Sequence, residues 1–382
     1  MSTPHPEATP APPAPPPEPA APRVRRRTLL TAVGLGAAGG LGLGAAAWPA
    51  PGRLPDRQTG DAELAGTARR VIGADRPALA VAWVTRDRTR TTVIGADADD
   101  RFEIGSISKP LTGLLFADLI ARGVVAPDDR LGDRLPGVTG RLAAVTLGQL
   151  ASHTSGLPRT LTTGASIGRA WWGTLTATNP HETTVADLIS SAERTPLTAP
   201  PGTYSNAGFG LLGAALAATA GRPYPALLRE WILGPAGMRD TLVPVSTDEL
   251  TRRDLLGETA SGRRSGPWLG PALTPAGGVR SDIADMARLA RGALTGDLPG
   301  AAAMTPTRPF QGRARIGWAW LTSPSPVDPA SLVLWHNGGT GGFSSFLGAD
   351  RRSGTAVVVL SASAVDVTER GFALLADLGG RR

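Results

Sequence analysis

The sequence predicts an α/β chain of the α+β type: one antiparallel sheet formed from both chain ends, flanking helices, and an inserted, mostly helical region. Three observations predict it. Short apolar runs with strand character occupy residues 78–96 and return only after residue 315. The intervening residues, about 124–310, are rich in Pro and Gly and carry apolar stretches of helical length. Charged or Gly-containing turns, rather than long crossovers, separate consecutive strand-like runs, as antiparallel neighbours require.

The elements follow in chain order. Residues 1–22 are mostly Pro, Ala and Thr and cannot build a core. Residues 23–47 begin with an Arg cluster, and Arg26-Arg27-Thr28-Leu29-Leu30 fits a twin-arginine export signal. The uncharged stretch 28–47 ends in Ala45-Ala46-Ala47, a small-residue cleavage site. Uncleaved, the same stretch is long enough to anchor the chain in a membrane, so both readings stand. Either way the domain at 61–380 is expected outside the cytoplasmic membrane, after a linker at 48–60.

Within that domain "AELAGTARRVI" (62–72) reads as a helix, and "ALAVAWV" (78–84) and "TTVIGA" (91–96) read as strands around a charged turn. A helix is expected from about Ser106. Pro110 sits near its first turn, Leu111, Leu115 and Leu119 recur at the four-residue period, and Gly123 closes it. Further helices are expected at 207–221, 224–233 and 281–294. Strands follow at 316–321, 331–336, 343–349 and 355–362, and a last helix at 367–379.

Composition removes several functions. The chain of 382 residues has no Cys, which excludes a disulfide framework, a thiol nucleophile and Cys-ligated metal. Its four His show no metal-ligand spacing, and no cofactor is expected. The net charge is +7, but the arginines are scattered among acidic residues without aromatic interleaving, so nucleic-acid binding is not indicated. A small-molecule or peptide substrate and a monomeric chain are the expectation.

Three stretches carry chemistry. "GSISKPLTGLLF" (105–116) contains the only Lys of the chain, three residues after Ser106. On a helix that spacing puts both on one face. Arg cannot release its proton near neutral pH, whereas a buried Lys can. A lone Lys kept where Arg serves elsewhere therefore points to proton transfer, with a Ser hydroxyl that needs a base as its partner. "APPGTYSNAGFG" (199–210) holds Tyr204 and Asn206, one of two Tyr and one of three Asn. Two apart in an extended segment, they point the same way. "LWHNGGTGGFSSFLG" (334–348) places His336 at a strand end before Asn337, Gly338 and Gly339, where glycines let a ligand approach the backbone. By itself this stretch equally suits a hairpin turn with a surface His.

Taken in order, Ser-x-x-Lys, Tyr-x-Asn and His-x-Gly resemble the serine β-lactamase and penicillin-binding-protein family, in its branch of class C β-lactamases, D,D-carboxypeptidases and esterases. "LASHTSGLP" (150–158), "PAGMRDT" (235–241) and "PAGGVRSDIADMARL" (275–289) resemble the same branch. The resemblance implies a β-lactamase/transpeptidase-like fold and an acyl-enzyme on Ser106. Lys109 and Tyr204 would share the general base and acid work, with the order left open. Asn206 would orient the substrate amide and the Lys. His336 would bind a substrate carboxylate or tune Tyr204. The backbone N–H groups of Ser106 and Gly339 would form an oxyanion hole, and Asn337, Gly338 and Gly339 would line the substrate.

The third motif departs from the Lys-Thr-Gly common in the family. His-Asn-Gly removes a permanent charge and a hydroxyl. This favours a D,D-carboxypeptidase or esterase over an efficient β-lactamase, and it makes carboxylate recognition by His336 expected to depend on pH. Trp171-Trp172 are read either as bordering the site or as ordinary packing. The competing function is a catalytically silent cell-wall or ligand-binding protein on the same scaffold, against which the complete set Ser106, Lys109, Tyr204 and Asn206 argues.

Overall fold

A computed structural model of the chain describes residues 50–161, 183–198, 203–326, 328 and 330–380. The signal or anchor at 23–47 and Trp171-Trp172 lie outside these residues. The strands are β1 (Gln58–Gly60), β2 (Leu79–Thr85), β3 (Thr89–Ile94), β4 (Phe102–Glu103), β5 (Arg280–Ser281) and β6 (Arg308–Pro309). They continue with β7 (Arg315–Ile316), β8 (Leu321–Pro324), β9 (Leu332–Gly339), β10 (Ser344–Asp350) and β11 (Thr355–Ser361).

Nine of them form one antiparallel sheet in the order β1-β3-β2-β11-β10-β9-β8-β7-β6. The two chain ends meet at its centre, where Leu79 to Thr85 of β2 pair with Ser361 to Thr355 of β11. That placement explains the sequence of β2, which is apolar on both sides. Leu79 and Val81, with Val357 and Val359 of β11, face a core shared with α1 (Ala62–Ile72) and the C-terminal helix. Ala80, Ala82 and Val84, with Ala356, Val358 and Leu360, face the larger core.

The helices that matter for the site follow from their own residues. Asp61 caps α1 by accepting the Leu64 N–H. Helix α2 (Ser108–Ala121) is buried on almost every side, so its apolar residues run all round rather than in one stripe. Then come α3 (Leu147–Ala151), α4 (Val185–Glu193), α5 (Asn206–Ala220) and α6 (Tyr224–Leu228). Further on are α7 (Thr274–Gly277), α8 (Ile283–Thr295) and α9 (Thr368–Gly379). Helix α8 packs on β2 and β11 from the larger core, and α9 packs on β10 and β11 from the other side.

Several expectations are corrected. The stretch 316–321 is not one strand but the corner between β7 and β8. Ala319 takes a positive φ of 68°, and a β-carbon on Gly317 would lie 2.2 Å from the Ala303 carbonyl, so the chain turns there. Ser106 precedes α2, on a 3₁₀ turn at Gly105–Ile107. The helix expected at 224–233 changes after Leu228 into one wider π turn, Arg229–Leu233. His336 is not at a strand end, since β9 continues through Gly339. The region 124–310 contains β5, which pairs with β4 and bonds the mostly helical part to the segment before Ser106. An extra edge strand, β1, forms in residues read as linker.

Candidate active site

The site is assembled where the 3₁₀ turn carrying Ser106 presses against β9. Gly105 has φ 53°, and a β-carbon on it would lie 2.6 Å from the Gly339 N. On Gly338 a β-carbon would lie 2.0 Å from the Ile104 carbonyl and 2.3 Å from Ser345 Oγ. Only glycine permits this approach, which brings the Gly339 backbone beside the Ser106 turn.

One turn later, Lys109 is fully buried. Its Nζ lies 3.0 Å from Ser106 Oγ, 2.8 Å from Asn206 Oδ1 and 2.6 Å from the Ala276 carbonyl. Burial, and secondarily the Arg159 charge, push the Lys109 pKa well below its ordinary value. In the amine form, two N–H groups satisfy the two carbonyl oxygens. The lone pair is then left for the Ser106 hydroxyl.

Asn206 is the first residue of α5 rather than part of an extended segment. Ser205 caps this helix: its Oγ accepts the Gly208 N–H at 3.1 Å and donates to the Pro158 carbonyl at 2.8 Å. The Asn206 N–H donates to the Arg159 carbonyl at 3.1 Å. The segment 153–159 therefore fixes where Tyr204 and Asn206 stand.

Tyr204 lies among four groups. The His153 ring is 4.3 Å away centroid to centroid, and the His336 ring 6.3 Å. Lys109 Nζ is 4.7 Å from the Tyr204 ring centroid and the Arg159 guanidinium carbon 5.0 Å. The nearby Ser106 hydroxyl favours the ionised phenol, a smaller effect on Tyr204 than its burial. Burial raises its pKa above the ordinary phenol value, so Tyr204 holds its proton at neutral pH.

His336 is 1% exposed, and its Nδ1 lies 2.6 Å from the Asn337 carbonyl. Burial first, then the Lys109 charge, lower its pKa to about 3. A neutral imidazole offers no charge to a substrate carboxylate, which counts against that expectation and against its pH dependence near neutrality. The other reading, proximity to Tyr204, remains. Asn337 is not brought to the cluster. Its side chain is on the opposite face of β9 and donates to Thr368 Oγ1 at 2.8 Å.

Sequence reasoning missed His153 and Arg159. "LASHTSGLP" stood out only by resemblance, and nothing in it showed that His153 would take a positive φ of 59° and stack on Tyr204. His153 Nδ1 accepts the Ser205 N–H at 3.0 Å, and burial keeps the ring neutral. Among the described residues no cluster of three or more His, Asp or Glu could hold a metal.

The arrangement can acylate a Ser hydroxyl: a poised amine on one side, a phenol on the other, and backbone N–H groups nearby. Comparison with known proteins agrees. The family described as Beta-lactamase matches residues 54–378. The chain is 30% identical to the D-alanyl-D-alanine-carboxypeptidase/endopeptidase AmpH of Escherichia coli K12 over 278 residues, 65% of this chain and 67% of that one. It is 31% identical to esterase EstB of Burkholderia gladioli over 150 residues, 37% of this chain and 38% of that one. A solved class C beta-lactamase, 16% identical, superposes with a TM-score of 0.68 over 84% of this chain and 94% of its own, a likeness of fold.

Proposed function

The chain belongs to the beta-lactamase family, a family of serine hydrolases, and on that premise we propose that it is an exported D,D-carboxypeptidase or esterase working through a Ser106 acyl-enzyme. The observation that carries this is the Lys109 amine at 3.0 Å from Ser106 Oγ with its other two contacts fixed to carbonyl oxygens.

In this reading Lys109 takes the Ser106 proton as Oγ bonds to the substrate carbonyl carbon. Burial lowers the Lys109 pKa and raises that of Tyr204, which supports the former as base and the latter as acid. The backbone N–H groups of Ser106 and Gly339 stabilise the oxyanion. The bond from the carbonyl carbon to the leaving nitrogen or oxygen breaks, and Tyr204 supplies the leaving group's proton. The proton held by Lys109 then restores Tyr204. Water adds to the ester, its proton passing back through the same pair, and the acid leaves with Ser106 regenerated. Gly338 and Gly339 offer the substrate a backbone edge, while Asn337 supports β9 from behind.

Export is supported by the Arg26-Arg27 motif and the apolar stretch after it. The His-Asn-Gly motif, which lacks a permanent cation, supports peptides and esters over β-lactams. The test is a panel of a D-Ala-D-Ala peptide, a short-chain aryl ester and a cephalosporin. The expected result is kcat/KM higher on the peptide or the ester than on the cephalosporin. Faster turnover of the cephalosporin would contradict it.

A further inference from the structure

The neutral, buried His336 leaves a question about charge. A peptide ending in a free α-carboxylate needs a cation near the leaving group, and two groups close to Ser106 cannot supply it. Lys109 is buried, with its three contacts taken by Ser106, Asn206 and Ala276. His336 is buried, with Nδ1 held by the Asn337 carbonyl. Farther off, Arg308 donates to Thr154 Oγ1.

Arg159 differs from all three. Its side chain is exposed, and its guanidinium lies over the Tyr204 ring at 5.0 Å. A guanidinium carries five N–H donors in a planar fork that can hold a carboxylate by two hydrogen bonds. Among the described residues no carboxylate pairs with it. Its backbone is fixed, because its carbonyl accepts the Asn206 N–H. Its charge reaches Lys109, His153 and Tyr204, and among the described residues no acidic group acts on any of the three. The pocket therefore has an excess of positive potential that an anionic substrate would complete.

We propose that Arg159 binds the α-carboxylate of the leaving residue, so that the substrate is a peptide with a free C-terminal carboxylate. This rests on the acyl-enzyme reading above, in which Tyr204 protonates the leaving nitrogen. The carboxylate is two bonds from that nitrogen. The Arg159 guanidinium carbon, 5.0 Å from the Tyr204 ring centroid, puts a cation beside the residue that protonates that nitrogen.

The test is a binding measurement that needs no turnover. In a Ser106→Ala background, the Kd of a peptide ending in D-Ala-D-Ala is compared with that of the same peptide as its C-terminal amide. The comparison is repeated with Arg159→Gln, Arg159→Lys and Arg308→Gln added. The expected result is a preference for the carboxylate that Arg159→Gln lowers by about 10–100-fold, the range for a hydrogen bond between charged groups. Arg159→Lys, keeping charge without the fork, should retain part of it. A preference unchanged by Arg159→Gln, or one that Arg308→Gln removes instead, would overturn the proposal. Covalent labelling of wild-type Ser106 is read separately. Its failure would count against the acyl-enzyme, whereas normal labelling with an unchanged preference counts against Arg159 alone.

Discussion

The two imidazoles beside Tyr204 are set in opposite tautomers by the backbone. His153 Nδ1 accepts the Ser205 N–H, so its proton is on Nε2. His336 Nδ1 faces the Asn337 carbonyl, so its proton is on Nδ1 and Nε2 is an acceptor. Both rings flank the phenol without adding charge to it. A consequence for stability follows from the His336 pKa of about 3. Above the reference value of about 6.5 both folded and unfolded states are neutral at this residue. As pH falls below it, the unfolded chain takes a proton that the folded one refuses, so stability falls with falling pH toward about 3. Between pH 7 and pH 4.5 the wild type should lose about 2–3 kcal/mol more unfolding free energy than His336→Gln, measured by urea denaturation. Equal losses in the two proteins would mean that His336 is protonated in the folded state. Ser106 and Lys109 were legible at this scale because three residues of helical chain bring them together. His153 was not, since its contact with Tyr204 spans fifty-odd residues and depends on a backbone conformation that its residue type does not announce.

At the scale of elements, the site depends on how closely β9 approaches the turn before α2. Gly338 and Gly339 are adjacent in sequence but not equivalent. A β-carbon on Gly338 would strike the Ile104 carbonyl, while one on Gly339 meets nothing within 4 Å. Gly338→Ala should therefore cost about 1–3 kcal/mol of stability, whereas Gly339→Ala should cost less than half of that. Denaturant midpoints of the two variants check this, and equal costs would mean that β9 does not press on the turn. Periodicity placed β2, β9, β10, β11 and the helices α1, α5, α8 and α9 to within a few residues. It failed at 316–321, where an unbroken apolar run hides a corner formed by Ala319, a residue without turn chemistry. Tyr224 shows a similar limit. Like Tyr204 it is buried, yet its hydroxyl bonds Thr112 Oγ1 at 2.7 Å and ties α6 to α2, with no part near Ser106. Composition could not tell a structural Tyr from a chemical one.

Across the whole molecule, the antiparallel sheet built from both chain ends was legible, because the strand-like runs cluster at the two ends and both β2 and β11 are apolar on each face. What ties this sheet to the helical part was not. Glu103 of β4 and Arg280 of β5 are both buried and meet at 2.6 Å, Glu103 Oε1 also accepting the Trp268 N–H at 2.9 Å. The two residues lie 177 positions apart, beyond any local pattern. Arg280→Met would leave the Glu103 carboxylate without its cation in a site where burial already raises its pKa. The expected cost is about 3–5 kcal/mol in unfolding free energy. A cost under about 1 kcal/mol would show that the pair contributes nothing net to joining the two parts.

The central claim is that Ser106 is acylated with Lys109 as its base, and intact mass after treatment with a fluorophosphonate tests it most directly. The account predicts one adduct per chain, located on Ser106 by peptide mapping and absent from Ser106→Ala. In Lys109→Arg, which keeps the charge but cannot accept a proton, labelling should slow by about 10²–10⁴-fold. Stoichiometric labelling of Ser106→Ala, or a Lys109→Arg variant labelled at the wild-type rate, would contradict it.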